Sequence, residues 1–253
     1  MKLIGTLKKP LQEQPYLYRI ELLDRFFQIL NNKELVFVQP NCWTDPMENI
    51  IFNARIIKNG LPYEHPAKDK IYAQCWSYDD DSYALWQIYT TKANSDGITK
   101  RRPGVRITTH FDRLWHISDH NKGSFYYGMV NYLTNKNLLK LPANEEYVRC
   151  LQSEAINEEH IKSLLIKRKS YNYEKEIRLI ALPDSGLIDA NNSRLCRLKI
   201  EPSEFISSVR FDPSLTHQEF KQYKEQLVEQ YGFKPTAITK STLNNQNDLI
   251  FRL

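Results

Sequence analysis

The sequence contains few of the residues that mark flexible linkers and nucleotide-binding loops. Only 8 of its 253 residues are glycine, and no internal repeat or low-complexity tract appears, which predicts one domain over residues 1–253. The chain has no P-loop, no G-x-G-x-x-G and no G-x-S-x-G motif. Their absence weakens the case for a kinase, a Rossmann dehydrogenase or a hydrolase.

Cysteine and histidine are also sparse. Cys42, Cys75, Cys150 and Cys196 form no C-x-x-C pair, which excludes a zinc ribbon or a disulfide framework and predicts buried free thiols in a reducing cytosol. The six histidines show no metal-ligand spacing, so no metal site is expected. No stretch approaches the ~20 apolar residues of a membrane span. The sequence therefore predicts a soluble cytoplasmic protein with no membrane partner.

Charge is present in only slight excess of one sign. The 35 Lys and Arg residues exceed the 30 Asp and Glu residues by enough to give a net charge of +5. This permits an anionic partner such as a nucleotide or a nucleic acid without requiring one. A hydrophobic content of 41% is ordinary for a packed globular protein.

Apolar periodicity predicts helices and strands without a strict βαβ alternation. This indicates an α+β fold, with a mixed, largely antiparallel sheet flanked by helices. Strands are predicted over 16–20, 34–40, 71–77, 104–109, 125–133, 176–182, 195–200, 206–211 and 236–241, and helices over 21–32, 44–56, 79–91, 157–169 and 216–232.

Capping signals mark several of these helices. Thr216 and Glu219 predict a capping box, with Gly232 as the stop of the same helix. Asp45 is expected to cap the helix over 44–56, with Pro46 in its first turn. The basic residues 167–169 are expected to end the helix over 157–169, where they would complement its dipole.

Six stretches along the chain form a recognisable set: LYR (17–19), LVFVQPNCWTDPMEN (35–49), QCWSYDDDSYALWQIY (74–89), GVRI (104–107), KRKSYNYEKEIRLI (167–180) and VRFDP (209–213). Together they resemble a bacterial family known as domain of unknown function 2971. The resemblance implies a bacterial stress or phage-defence setting, such as a toxin or an effector, and it implies no particular reaction.

The segment SYNYEKEIRLIA (170–181) contains the first candidate site. In a strand, Glu174, Glu176 and Arg178 would point to one side and Lys175 to the other. One glutamate could then face a cleft and act on a ligand. A plain ion pair between Glu176 and Arg178 is an equally good explanation.

A second candidate lies at the end of the first aromatic strand. Arg19, beside Tyr18, could bind a phosphate or carboxylate through its planar fork. A salt bridge to Glu21 or Asp24 explains the same residue equally well.

The helix over 79–91 carries an aromatic stripe of Tyr83, Trp86 and Tyr89. Such a stripe is more often core, although one ring could stack on nicotinamide or adenine. The basic loop 92–106, which includes Lys92, Lys100, Arg101 and Arg102, could contact a phosphate or nucleic acid, but solvated charge is the commoner explanation.

An early arginine, central aromatic residues and a late glutamate resemble the layout of ADP-ribosyltransferase folds, by analogy only. The first hypothesis is therefore an enzyme that uses NAD as substrate, either as an ADP-ribosyltransferase or as a glycohydrolase. Glu176 and Glu174 would be catalytic, and Glu176→Gln is expected to abolish turnover and leave folding intact. The NAD-binding residues would be Arg19, Tyr18, Tyr89, Trp86 and Arg178.

Two other classes of function stay open. A metal-dependent nuclease could use Asp45, Glu48, Glu174 and Glu176, with Lys175 or Arg178 meeting a phosphate. A binding module without catalytic activity could bind a nucleotide or nucleic acid. The expected partners are thus a nucleotide-like small molecule and a nucleic acid or protein acceptor.

Overall fold

The structure is a computed structural model that describes residues 1–7, 9–13, 15–43, 45, 47–93 and 99–243. The strands are β1 (Lys2–Leu3), β2 (Tyr16–Leu22), β3 (Glu34–Val38), β4 (Ile56–Lys58), β5 (Leu61–Tyr63), β6 (Tyr72–Ser77), β7 (Thr91–Ala93), β8 (Thr99–Arg101), β9 (Gly104–His110), β10 (Gly123–Met129), β11 (Asn131–Leu133), β12 (Ile166–Arg168), β13 (Glu176–Pro183), β14 (Leu195–Lys199), β15 (Ser208–Phe211) and β16 (Ile238–Lys240). The helices are α1 (Lys9–Glu13), α2 (Leu23–Asn32), α3 (Ile50–Asn53), α4 (Tyr83–Thr90), α5 (Trp115–His120), α6 (Asn135–Leu138), α7 (Glu145–Gln152), α8 (Glu158–Ser163), α9 (Pro202–Phe205) and α10 (His217–Tyr231).

A mixed, largely antiparallel sheet organises the molecule, as predicted for an α+β fold. Its main path runs β1-β10-β13-β6-β2-β9-β15-β16, and β3 joins β6 while also pairing with β14. Only β1–β10 and β15–β16 are parallel among the described pairs of this sheet.

The sheet is buried on both faces, as the side chains of β13 show by pointing alternately to one face and the other. Ile177 and Leu179 pack into the larger core, which includes Phe26 of α2. Ile180 points to the other face and packs with Leu164 in a second core. Because side chains alternate along a strand, Glu176 and Arg178 project to this second side.

Several local signals give the predicted structure. In α10, Thr216 and Glu219 form the predicted capping box, and Gly232 follows in a left-handed conformation with φ 70°. The α4 helix is capped by Ser82. These signals need only residues within one turn of the helix end, which is why sequence alone detects them.

One predicted strand and one predicted helix end early, and the residues that follow the two ends pair with each other. The strand predicted over 125–133 breaks at Val130, whose N–H donates to the Glu176 carbonyl at 3.0 Å. The helix predicted over 157–169 ends at Ser163. Beyond these ends the chain forms β11 and β12, which lie side by side as a parallel pair. Lys167 and Arg168 are therefore strand residues, and the prediction that they complement a helix dipole is wrong.

The helix predicted over 44–56 is also mostly absent. Asp45 accepts a hydrogen bond from the Met47 N–H at 3.0 Å, which closes a turn. Asn49 then has φ 55°, so only Ile50–Asn53 is helical. Pro46, predicted in the first turn, lies outside the described residues.

The candidate segment at 170–181 begins as a 3-10 helix. Lys169–Glu174 is helical, Lys175 has φ 45°, and the strand begins at Glu176. Glu174 is thus not on the strand, contrary to the prediction, although Lys175 does point outward and is exposed.

All four cysteines are free thiols, and Cys42 is exposed, unlike the predicted burial. Among the helices within the described residues, none has the length and apolar character needed to cross a membrane.

Candidate functional site

A cleft lies where two central strands separate. Within the described chain, β2 and β6 are paired at a single position, Tyr18 with Ser77. Arg19 reaches across the gap, and its Nη1 donates to the Cys75 carbonyl while its Nε pairs with the Glu21 carboxylate at 2.6 Å. The predicted Arg19–Glu21 salt bridge is therefore present, and Arg19 still lines the cleft.

The cleft is narrow and has charged walls. Its cavity volume is only about 20 Å³. A ligand larger than a few atoms therefore needs its walls to move. The lining residues are Tyr18, Arg19, Ile20, Cys75, Trp76, Ser77, Asp79, Asp80, Ser82, Leu85, Tyr89, Arg106, Glu174 and Glu176.

The structure brings together the early arginine and the late glutamates. Arg19 and Glu176 come from strands far apart in sequence, yet both line this cleft, together with Glu174, Tyr18 and Tyr89. Five of the seven residues predicted for the site are thus neighbours around one space.

The other two predicted residues lie elsewhere. Trp86 is completely buried, and its Nε1 donates to Asp81 at 2.8 Å. Arg178 is also completely buried, and its guanidinium lies over the Trp43 ring at 4.1 Å. Neither residue lines the cleft, so their proposed contact with NAD is not supported by their position.

An ionic cluster of Glu48, Lys167, Glu174, Glu176 and Arg178 lies beside the cleft, and its members Glu174 and Glu176 line it. Lys167 Nζ contacts carboxylate oxygens of Glu48 at 2.6 Å, Glu174 at 2.7 Å and Glu176 at 3.1 Å. Arg178 Nε pairs with Glu176 at 2.8 Å, and its Nη2 lies 3.3 Å from Glu48. With all groups ionised, three carboxylates face two cations.

The backbone explains how these residues meet. Glu176 and Arg178 project from one face of β13, and β12 places Lys167 over that face. The β11 strand carries Tyr132, whose hydroxyl oxygen accepts a hydrogen bond from the Glu176 N–H at 2.8 Å.

The cluster separates the acidities of its two cleft glutamates. Burial alone raises the pKa of Glu176, but the charges of Arg178 and Lys167 outweigh it and lower this pKa to about 2. Burial raises the pKa of Glu174, and the charges of Glu176 and Glu48 add to that rise against the opposing effect of Lys167. Glu176 therefore stays ionised, whereas Glu174 is the carboxylate that more readily takes a proton.

Two further cleft residues, Tyr89 and Cys75, stay protonated. Burial, reinforced by the nearby acidic groups, raises the pKa of Tyr89 far above its usual value. Burial and the Glu176 charge likewise raise the pKa of Cys75. At neutral pH, Tyr89 is thus a hydrogen-bond donor in the cleft and Cys75 is a poor nucleophile.

Sequence analysis did not place Lys167 in the site and considered Glu48 only as a carboxylate of a nuclease. Glu48 has only 6% of its surface exposed and contacts both cations of the cluster. Their partners lie between 7 and 130 residues away along the chain, and no local pattern reveals such contacts. The available signal was the run of three basic residues at 167–169, directly after an apolar stretch.

The carboxylates proposed for a nuclease are already paired with cations. Both oxygens of Asp45 accept from Arg168, at 2.6 and 3.0 Å. Lys175 is exposed and does not line the cleft. Within the part of the chain that the structure describes, no group of three or more His, Cys, Asp or Glu residues has the arrangement of a metal site.

The basic loop predicted as a phosphate contact is partly paired with acids. Arg101 contacts Asp212 at 3.0 Å, and Arg102 contacts Asp24 at 2.8 Å. Residues 94–98, including Asp96, lie outside the described residues.

Comparisons with family models, curated proteins and solved structures find no match to this chain. The resemblance to domain of unknown function 2971 and the likeness to ADP-ribosyltransferase folds therefore stay predictions.

Proposed function

We propose that the protein cleaves the N-glycosidic bond of an NAD-like nucleotide and transfers the ribosyl group to water or to an acceptor. The observation that carries this proposal is the pair formed by Glu174 and Glu176, whose pKa values move in opposite directions in one cleft. Most enzymes that cleave glycosidic bonds use two carboxyl groups with different pKa values.

The spacing of the two carboxylates supports the same chemistry. One oxygen of each contacts Lys167 Nζ, so these oxygens are no more than about 6 Å apart. Carboxyl groups of glycosidases are separated by roughly 5 to 9.5 Å. The pair is thus close enough to act on one sugar carbon.

Each group has a distinct role in the proposed reaction. The C1′–N bond breaks, and its electron pair leaves with neutral nicotinamide. Ionised Glu176 stabilises the positive charge that develops on the ribose. A water or acceptor hydroxyl then attacks C1′, and Glu174, with its raised pKa, takes the proton.

The nuclease alternative is less well supported by the geometry. A nuclease would need free carboxylates for magnesium, whereas Asp45, Glu48 and Glu176 are each held by arginine or lysine. A binding module would use the same cleft without turnover, so the activity measurement below separates it from the proposal.

The test measures nicotinamide release from NAD by liquid chromatography, with and without a bacterial lysate as a source of acceptors. Glu174→Gln is expected to lower the rate by roughly 10²- to 10⁴-fold, the usual contribution of a general base. Glu201→Gln is the matched control, because Glu201 forms an exposed ion pair with Lys33. Wild-type protein that releases no nicotinamide in either condition would contradict the proposal.

A parallel assay addresses the nuclease alternative. Plasmid DNA and RNA are incubated with the wild-type protein, with and without EDTA. Cleavage that EDTA abolishes, together with intact NAD, would favour that alternative.

A further inference from the structure

Arg106 is a buried guanidinium on the wall of the cleft, and sequence analysis assigned it no role. Its side chain is 5% exposed, and it lies over the Tyr18 ring at 4.7 Å. Its Nη1 donates to both the main-chain carbonyl and the carboxylate of Asp80. Its Nε is buried and has no hydrogen-bond partner among the described residues, so one strong donor is unused.

A second arginine stands directly across from it. Arg210 of β15 is the register partner of Arg106 on β9. Like charges at opposed positions of neighbouring strands destabilise a sheet unless an anion compensates for them. Asp80 and Asp81 supply that compensation here, because Arg210 Nη1 lies 3.8 Å from the first and 3.0 Å from the second.

The two aspartates differ in how firmly they are held. Asp81 accepts from Trp86 Nε1 at 2.8 Å and from the Ser241 hydroxyl at 3.3 Å, in addition to Arg210. Among the described residues, the Asp80 carboxylate forms ion pairs only with the two arginines, and 55% of its side chain is exposed. The Asp80 side chain can therefore rotate toward solvent, and only the two guanidinium groups then lose a hydrogen-bonding partner.

We propose that Arg106, with Tyr18 and its neighbour Arg210, forms a subsite for the pyrophosphate of a nucleotide, for which the Asp80 carboxylate competes. Phosphate oxygens match the planar fork of arginine and can use its Nε, which the carboxylate of Asp80 leaves unpaired. The subsite extends the proposed function, since it places the phosphates of the substrate in the same cleft as the two glutamates.

The test is isothermal titration calorimetry with inorganic pyrophosphate at low salt. Asp80→Asn removes the competing charge, and it is expected to tighten binding by roughly three- to tenfold because a larger fraction of the protein is competent to bind. Arg106→Lys is expected to weaken binding by about tenfold or more, since lysine cannot bind in the bidentate way. Asp112→Asn changes a carboxylate that is 89% exposed, and it serves as the control with unchanged affinity.

The outcomes decide the proposal even if Arg106→Lys fails to fold, because Asp80 is exposed and its substitution leaves the core intact. Unchanged or weaker binding in Asp80→Asn would overturn the subsite, and so would wild-type protein that binds no pyrophosphate. Pyrophosphate has no glycosidic bond. The expected affinities combined with intact NAD would therefore keep the subsite and reject the proposed reaction.

Discussion

Replacing Glu176 by Gln should strongly destabilise the fold, contrary to the expectation from sequence that this change leaves folding intact. Glu176 is 2% exposed and neutralises Arg178, which is completely buried. The substitution keeps the shape of the side chain and removes its charge. Arg178 and Lys167 then share only Glu48 and Glu174.

Two routes give a similar magnitude for this loss. The pKa of Glu176 falls from 4.5 to about 2, and at about 1.4 kcal/mol per pKa unit this is roughly 3 kcal/mol of stability at neutral pH. Breaking a buried ion pair by removing one partner typically costs about 3–5 kcal/mol. Glu176→Gln should therefore lower the free energy of unfolding at pH 7 by roughly 3 to 5 kcal/mol.

The pH dependence gives the sharper test. Because the pKa of Glu176 is lower in the folded state, its contribution is complete above pH 4.5 and disappears as the pH falls toward 2. The difference between wild type and variant in urea unfolding, followed by tryptophan fluorescence, should therefore shrink over that range. A loss under about 1 kcal/mol at pH 7, within the range of an exposed pair such as Lys33–Glu201, would refute the reasoning.

Two further predictions concern packing away from the cleft. His160 contacts His65, with the two Nε2 atoms 3.3 Å apart, and burial together with the His65 charge lowers the pKa of His160 to about 4. The imidazole of His160 binds a proton more tightly in the unfolded chain, so the free energy of unfolding should fall as the pH drops from 6.5 to 4. His160→Gln should make the free energy of unfolding, measured in urea, less dependent on pH over that range. Gly128→Ala should cost about 1–3 kcal/mol, since a Cβ there would overlap the Leu165 side chain. Gly186→Ala, where a Cβ meets nothing within 4 Å, is its control, and equal melting temperatures for the two variants would contradict this prediction.

The parts of the fold that sequence predicts are those set by neighbouring residues. The strand at Tyr16–Leu22 and the capped helix His217–Tyr231 follow from alternation, periodicity and a capping box. The pairing of Asn131–Leu133 with Ile166–Arg168 depends on residues over 30 positions apart. The first segment continues the apolar pattern of the strand before it, and the second continues that of the helix before it. Neighbouring residues therefore do not show where that strand and that helix end.

The same distinction explains the candidate site. Charges at alternate positions drew attention to Glu176, which lines the cleft, and Arg19 was named because it interrupts an aromatic strand. Lys167 was left out because a helix dipole was a sufficient account of it, and Glu48 was considered only as a nuclease carboxylate. Glu174 reached the cleft through a 3-10 helix and a left-handed residue, rather than through the strand alternation that first suggested it.

The lysine at the centre of the ionic cluster joins its own stretch of chain, residues 167–178, to Glu48, which lies more than 100 positions earlier. If one part of the cluster detaches, the charges that stay behind lose their partners while they are still shielded from water. A partly formed cluster is therefore less stable than either the complete cluster or the unfolded chain. The cluster must consequently form and dissolve as a unit, which ties the order of this side of the cleft to the integrity of the fold as a whole. A protein built in this way has little freedom to loosen the cluster without unfolding, so any opening of the cleft must come from its other residues.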